Sequence, residues 1–119
     1  LKYFDYKEFD SPDLPGSGKM YMSQELLNIL DLVREKFGKP IVINSGYRSQ
    51  EHNDSLGKSS PNSSHIKGLA VDIKCNNSRD RYDLINLFVT HNITRFGVSS
   101  SFLHIDIDTS KAQNVIWTY

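Results

Sequence analysis

His65 and Asp72 stand seven positions apart in SSHIKGLAVDI, residues 63–73, with Gly68 between them. A second histidine, His104, lies in SFLHIDID, residues 101–108. All three side chains are metal-ligating types. Two histidines and a carboxylate leave one coordination position open, the pattern of a catalytic rather than a structural zinc site. Water held at such a position has a pKa near 7 and becomes a usable nucleophile. The spacing sets a geometric condition. Seven extended residues span about 23 Å, whereas zinc ligands sit about 2.0–2.2 Å from the ion. The chain must therefore fold back between His65 and Asp72, and Gly68 has the conformational freedom to do it.

The elements that must position these donors can be read from periodicity. Leu69, Val71 and Ile73 alternate with polar or small residues, which predicts a strand over 69–74. Ala70 shares a face with Asp72, and its small side chain leaves room for an ion and a substrate. Residues 101–108 are the clearest strand. Leu103, Ile105 and Ile107 occupy one face and Phe102, His104, Asp106 and Asp108 the other. If these two strands pair, the three donors converge.

Around them, Ser23 is an N-cap for a helix over 23–37 with Leu26, Leu27, Leu30, Val33 and Phe37 at helical spacing, stopped by Gly38. Ile41–Asn44 reads as a short buried strand. The turn SGYRSQEHN, residues 45–53, carries Tyr47, Arg48, Glu51 and His52, and loops of this kind often bear functional side chains. Residues 54–64 read as a polar surface loop, 79–91 as a second helix, and 93–98 as a short strand. The tail QNVIWTY is a final strand or packed extension, with Trp117 expected in the core. Residues 1–10 form an aromatic arm that breaks at SPDLPGSGK, which is expected to be a loop. The expected fold is one α+β domain over residues 1–119, a small antiparallel sheet with two main helices.

Fourteen basic and fourteen acidic side chains give a formal charge of zero. That balance offers no basic footprint for nucleic acid or an anionic membrane. No segment approaches the roughly 18 apolar residues of a membrane span. Cys75 is the only cysteine and so forms no internal disulfide. The chain opens at Leu1 rather than Met, as after removal of a leader or an upstream domain. A monomer is expected.

SSHIKGLAVD resembles the S-x-H-x-x-G-x-A-x-D motif of the zinc D-alanyl-D-alanine carboxypeptidases and related peptidoglycan endopeptidases, a fold group shared with the hedgehog signalling domain. Ser63, His65, Gly68, Ala70 and Asp72 are all in register. SGYRS is similar to the family's arginine segment and FLHID to its terminal histidine strand, so the resemblance runs from Glu8 to Trp117. It implies a hedgehog-like peptidase fold and one zinc ion held by His65, Asp72 and His104. It further implies peptidoglycan stem peptides or crossbridges as substrate, with the cell wall as the place of action. Arg48 would grip substrate oxygens and offset transition-state charge. Ser63 would orient the turn, with Tyr47 and His52 as supporting residues at the rim.

Two departures stand out. Several members of that family carry an acidic base three residues before the last histidine, where this chain has Ser101, and a histidine two before it, where this chain has Phe102. Asp106, on the face of His104, can replace the base or can fix the tautomer of a ligand histidine. A zinc-containing cell-wall-binding domain without turnover is the alternative function. Non-haem iron chemistry, which also uses two histidines and a carboxylate, is disfavoured because no histidine follows His104.

Overall fold

The computed structural model describes residues 1–119. Two long helices supply one side of the core. In α2, Gln24–Phe37, the Ser23 side chain caps the Leu26 amide, and Leu26, Leu27, Leu30 and Val33 are buried. In α4, Ser78–Thr90, Asn77 caps the Asp80 amide and Leu84 and Phe88 turn inward. These apolar stripes close over one face of a five-stranded sheet. The strands are β1, Ile43–Ser45; β2, Ala70–Lys74; β3, Arg95–Val98; β4, Phe102–Asp106; and β5, Val115–Thr118. Val71, Ile73, Phe96, Leu103 and Ile105 supply the sheet's side of the core. Burial of each such side chain contributes about 1.5–3 kcal/mol, so the inner face fixes the register.

That register decides what the opposite face can do. The strand order is β1-β2-β4-β3-β5. Ser45 pairs with Asp72, Asp72 with His104, His104 with Gly97, and Gly97 with Trp117. One transverse row therefore crosses the whole sheet through two of the three expected metal donors.

The α+β class holds, with three corrections of detail. The sheet is mixed rather than antiparallel, because β5 runs parallel to β3. It returns antiparallel to β4, as a following strand does, but skips to the far side of β3. Two short helices, α1 over Ser17–Tyr21 and α3 over Gln50–Ser55, occupy stretches expected as loop and turn. Trp117 is half-buried over the sheet rather than in the core. No helix is long and apolar enough to cross a membrane.

Candidate metal centre

The fold-back demanded by the His65–Asp72 spacing is a tight turn closed by its own backbone. The Gly68 amide donates to the carbonyl of His65 at 3.2 Å, and the Leu69 amide to that of Ser64 at 3.1 Å. Gly68 has φ +71°, and a Cβ there would strike the carbonyl oxygen of Tyr21. Both the left-handed backbone and the close approach require glycine. The Ser63 hydroxyl accepts from the His65 amide at 3.3 Å. The deeper anchor is its neighbour Ser64, which donates to the buried Asp108 carboxylate at 2.7 Å. Asp108 also receives Lys67 at 3.1 Å and Ser110 at 2.6 Å. This clamp ties the turn to the end of β4.

The turn and the two central strands bring His65, Asp72 and His104 together, with one donor atom of each within 4.8 Å of the others. Asp72 Oδ1 lies 3.3 Å from His65 Nε2 and 2.9 Å from His104 Nδ1. A tetrahedral ion with zinc's bond lengths spaces its ligands by about 3.4 Å, so the cluster is the right size. The far side of each ring fits equally well. His65 Nδ1 faces the Gly46 carbonyl at 2.7 Å, and His104 Nε2 faces Asp106 Oδ2 at 2.7 Å. With a metal bound, those acceptors would hold the ring protons on the outer nitrogens and free the inner nitrogens, which otherwise face Asp72, to act as ligands. The donor set fits zinc.

Asp106 is 1% exposed and both its oxygens are engaged. Oδ1 receives Arg95 Nε at 2.6 Å and the Asp108 amide at 3.1 Å, while Oδ2 faces His104. Sequence pattern alone does not single out Arg95 as a site residue. A lone arginine at the start of an otherwise apolar strand was the available signal.

Arg48 reaches the cluster from the β1–α3 loop. Its Nη2 lies 3.3 Å from Asp72 Oδ2, and its Nε donates to Ser45 Oγ at 3.1 Å. Its ion pair is with Asp72, not with Glu51 or Asp54 nearby in sequence. Burial lowers its pKa, against the charge of Asp72. Tyr47 and His52 are not brought to the cleft. Tyr47 stacks on Tyr21 with ring centroids 4.8 Å apart, and His52 lines a separate hollow beside Glu8 and Asp10. The cleft over the cluster has a volume of about 300 Å³ and is also lined by Lys58, Ser59, Lys111, Trp117 and Tyr119.

The charges are strongly coupled. Burial alone would raise the Asp72 pKa, but hydrogen bonds from His104 and His65 and their positive charge hold it well below the carboxylate range. Asp106 is likewise lowered, with His104 and Arg95 outweighing burial. Burial disfavours the imidazolium of His104, yet Asp106 and Asp72 outweigh it and raise the pKa. Depressed carboxylates contribute stability above their unfolded pKa of about 4, lost as pH falls through the lower folded values. A raised histidine contributes below about 6.5, lost as pH rises through its folded value. Metal-free protein is therefore expected to be most stable between about pH 4 and 6.5. Chemical denaturation after chelation, run from acid to alkaline pH, checks this; a maximum above pH 8 contradicts it.

The sequence pattern that defines the peptidase M15 family matches residues 2–108. The match takes in Arg48 and all three donors and stops short of β5. No curated protein matches the chain. That family is zinc-dependent, in agreement with the donor set. By a match that spans all but the last strand, the chain belongs to the peptidase M15 family, the metallopeptidases akin to zinc D-alanyl-D-alanine carboxypeptidases.

Proposed function

We propose that the protein hydrolyses peptide bonds in peptidoglycan stem peptides or crossbridges, acting at the cell wall with one zinc ion on His65, Asp72 and His104. The observation that carries this reading is the convergence of the three donors at the floor of a cleft. A zinc ion held there supplies Lewis-acid polarisation of the scissile carbonyl and acidifies water.

The chain's own residues do the rest. Arg48 is held by Ser45, Asn53 and Ser59 with its guanidinium toward the cluster. It offsets negative charge that develops on the carbonyl oxygen as the carbon becomes tetrahedral. Lys58 and Lys111 line the same cleft, which suits the carboxylates that stem peptides carry. Asp106 orients His104 rather than moving a substrate proton, since both its oxygens are already engaged. Ser63 supports the metal turn, while Tyr47 and His52 serve the packing of their own segments.

One observation favours the alternative reading, a zinc-containing cell-wall-binding domain without turnover. Ser101 is exposed, and the only carboxylates lining the cleft, Asp72 and Asp106, are both engaged. Digestion of defined muropeptides read by mass spectrometry separates the two. Zinc-loaded protein is expected to release fragments, chelation to stop release, and added zinc to restore it. Binding of peptidoglycan with no fragment from any muropeptide would establish the alternative.

A further inference from the structure

β5 lies beyond the family match, yet it forms a wall of the cleft. It joins the sheet beside β3 and places Trp117 opposite Gly97, which is itself opposite His104. A Cβ on Gly97 would lie 2.6 Å from the indole nitrogen of Trp117 and 2.8 Å from the phenol oxygen of Tyr119. The missing side chain is the space those two polar atoms occupy. The indole ring packs 5.4 Å from the His104 ring, and the phenol ring packs 5.0 Å from Phe102. Although Tyr119 is 69% exposed, it lines the cleft together with Arg48 and the metal donors.

The transverse row gives the arrangement its meaning. Arg48 is bonded to Ser45 at one end of the row. Tyr119 stands over Gly97, beyond His104 at the other. Asp72 and His104 lie between them. The cleft thus has a donor on each side of the metal position, although Phe102 on β4 provides none. We infer that the Tyr119 hydroxyl is a catalytic hydrogen-bond donor, meeting the carbonyl oxygen of the scissile peptide bond from the side opposite Arg48.

When hydroxide adds to the carbonyl carbon, the new C–O bond forms as the C=O π pair moves onto the carbonyl oxygen, and the phenol donates a hydrogen bond to that oxygen while keeping its own proton. Burial raises the phenol pKa, as do the charges of Asp72 and Asp106, against the Trp117 indole and Arg48, so the hydroxyl stays protonated at neutral pH. The indole nitrogen and the phenol oxygen both stand within 3 Å of the position a Gly97 Cβ would take. This role rests on the peptidase reading above.

Tyr119→Phe tests it, since the variant keeps the ring against Phe102 and deletes only the hydroxyl. Loss of one preorganised oxyanion donor is expected to lower kcat about a hundredfold, with KM and zinc content little changed. A dipeptide phosphinate, which mimics the tetrahedral state, is expected to bind zinc-loaded Tyr119→Phe more weakly by a similar factor in calorimetry. Gly97→Ala, which displaces indole and phenol together, is expected to reproduce the kcat loss. An active wild type with kcat and phosphinate affinity unchanged in Tyr119→Phe, or with the whole loss in KM, overturns the role of Tyr119 alone. A wild type that neither cleaves muropeptides nor binds the phosphinate overturns the peptidase reading and this role with it.

Discussion

His104→Ala is expected to lose its zinc and, with it, peptidase activity by about a thousandfold or more. A metal ion contributes several kcal/mol of transition-state stabilisation, and each 1.36 kcal/mol is about tenfold in rate. The substitution removes one of three donors and leaves only Asp72 and His65. Elemental analysis after gel filtration gives the direct readout, one equivalent of zinc in the wild type and a small fraction of that in the variant. A second readout needs no substrate. Zinc at a hundredfold excess over its Kd stabilises a folded protein by about 2.7 kcal/mol, on the order of 10 °C in Tm for a chain of this size. The wild type is expected to show that shift and His104→Ala to show almost none.

The variant separates ligation from simple destabilisation because the metal-free fold has other support around the deleted ring. Asp106 keeps Arg95 and the Asp108 amide, and Asp72 keeps Arg48. Metal-free His104→Ala is expected to stay folded but to melt below metal-free wild type, since Asp106 and Asp72 lose a buried partner, so ligation is read from the zinc-induced shift within each protein. Retention of a full zinc equivalent by His104→Ala would remove His104 from the ligand set.

What the sequence disclosed about this site was what depends on local pattern. The Gly68 turn and the alternation of β2 and β4 are written within 11 and 8 residues respectively. A slip of one residue would send Asp72 or His104 into the core, so burial of Val71, Ile73, Leu103 and Ile105 fixes their side. What depends on pairing between distant segments was hidden. Arg95 meets Asp106 only because the turn after β3 sets Phe96 opposite Ile105. The parallel seat of β5, and with it the place of Trp117 and Tyr119, follows from which sheet edge was free. Proximity in sequence groups His52 with Arg48. Ser49, however, caps the His52 amide at 3.0 Å and starts α3 there. Helical geometry then carries His52 to another surface.

Asp106→Asn distinguishes the two roles that the position of this carboxylate allows. If Asp106 were the base, the amide could accept no proton, and kcat would collapse while zinc stayed bound. The bonding in the structure leads to the opposite expectation. A carboxylate on Nε2 holds the His104 tautomer that presents Nδ1 to the metal, and loss of such a partner costs about 10–100-fold in metal affinity. An asparagine in the same place can still offer its carbonyl to one neighbour but not to both His104 and Arg95. Arg95 is 8% exposed and would keep only the Ala112 carbonyl, at 2.6 Å, and the face of Trp117. Removal of one partner of a buried ion pair costs about 3–5 kcal/mol, so the variant is expected to melt lower as well. Saturating zinc at a temperature where the variant is folded is then expected to restore most of kcat. Activity that stays abolished with a full equivalent of zinc bound would make Asp106 the base after all, and the outward face of His104 would need another explanation.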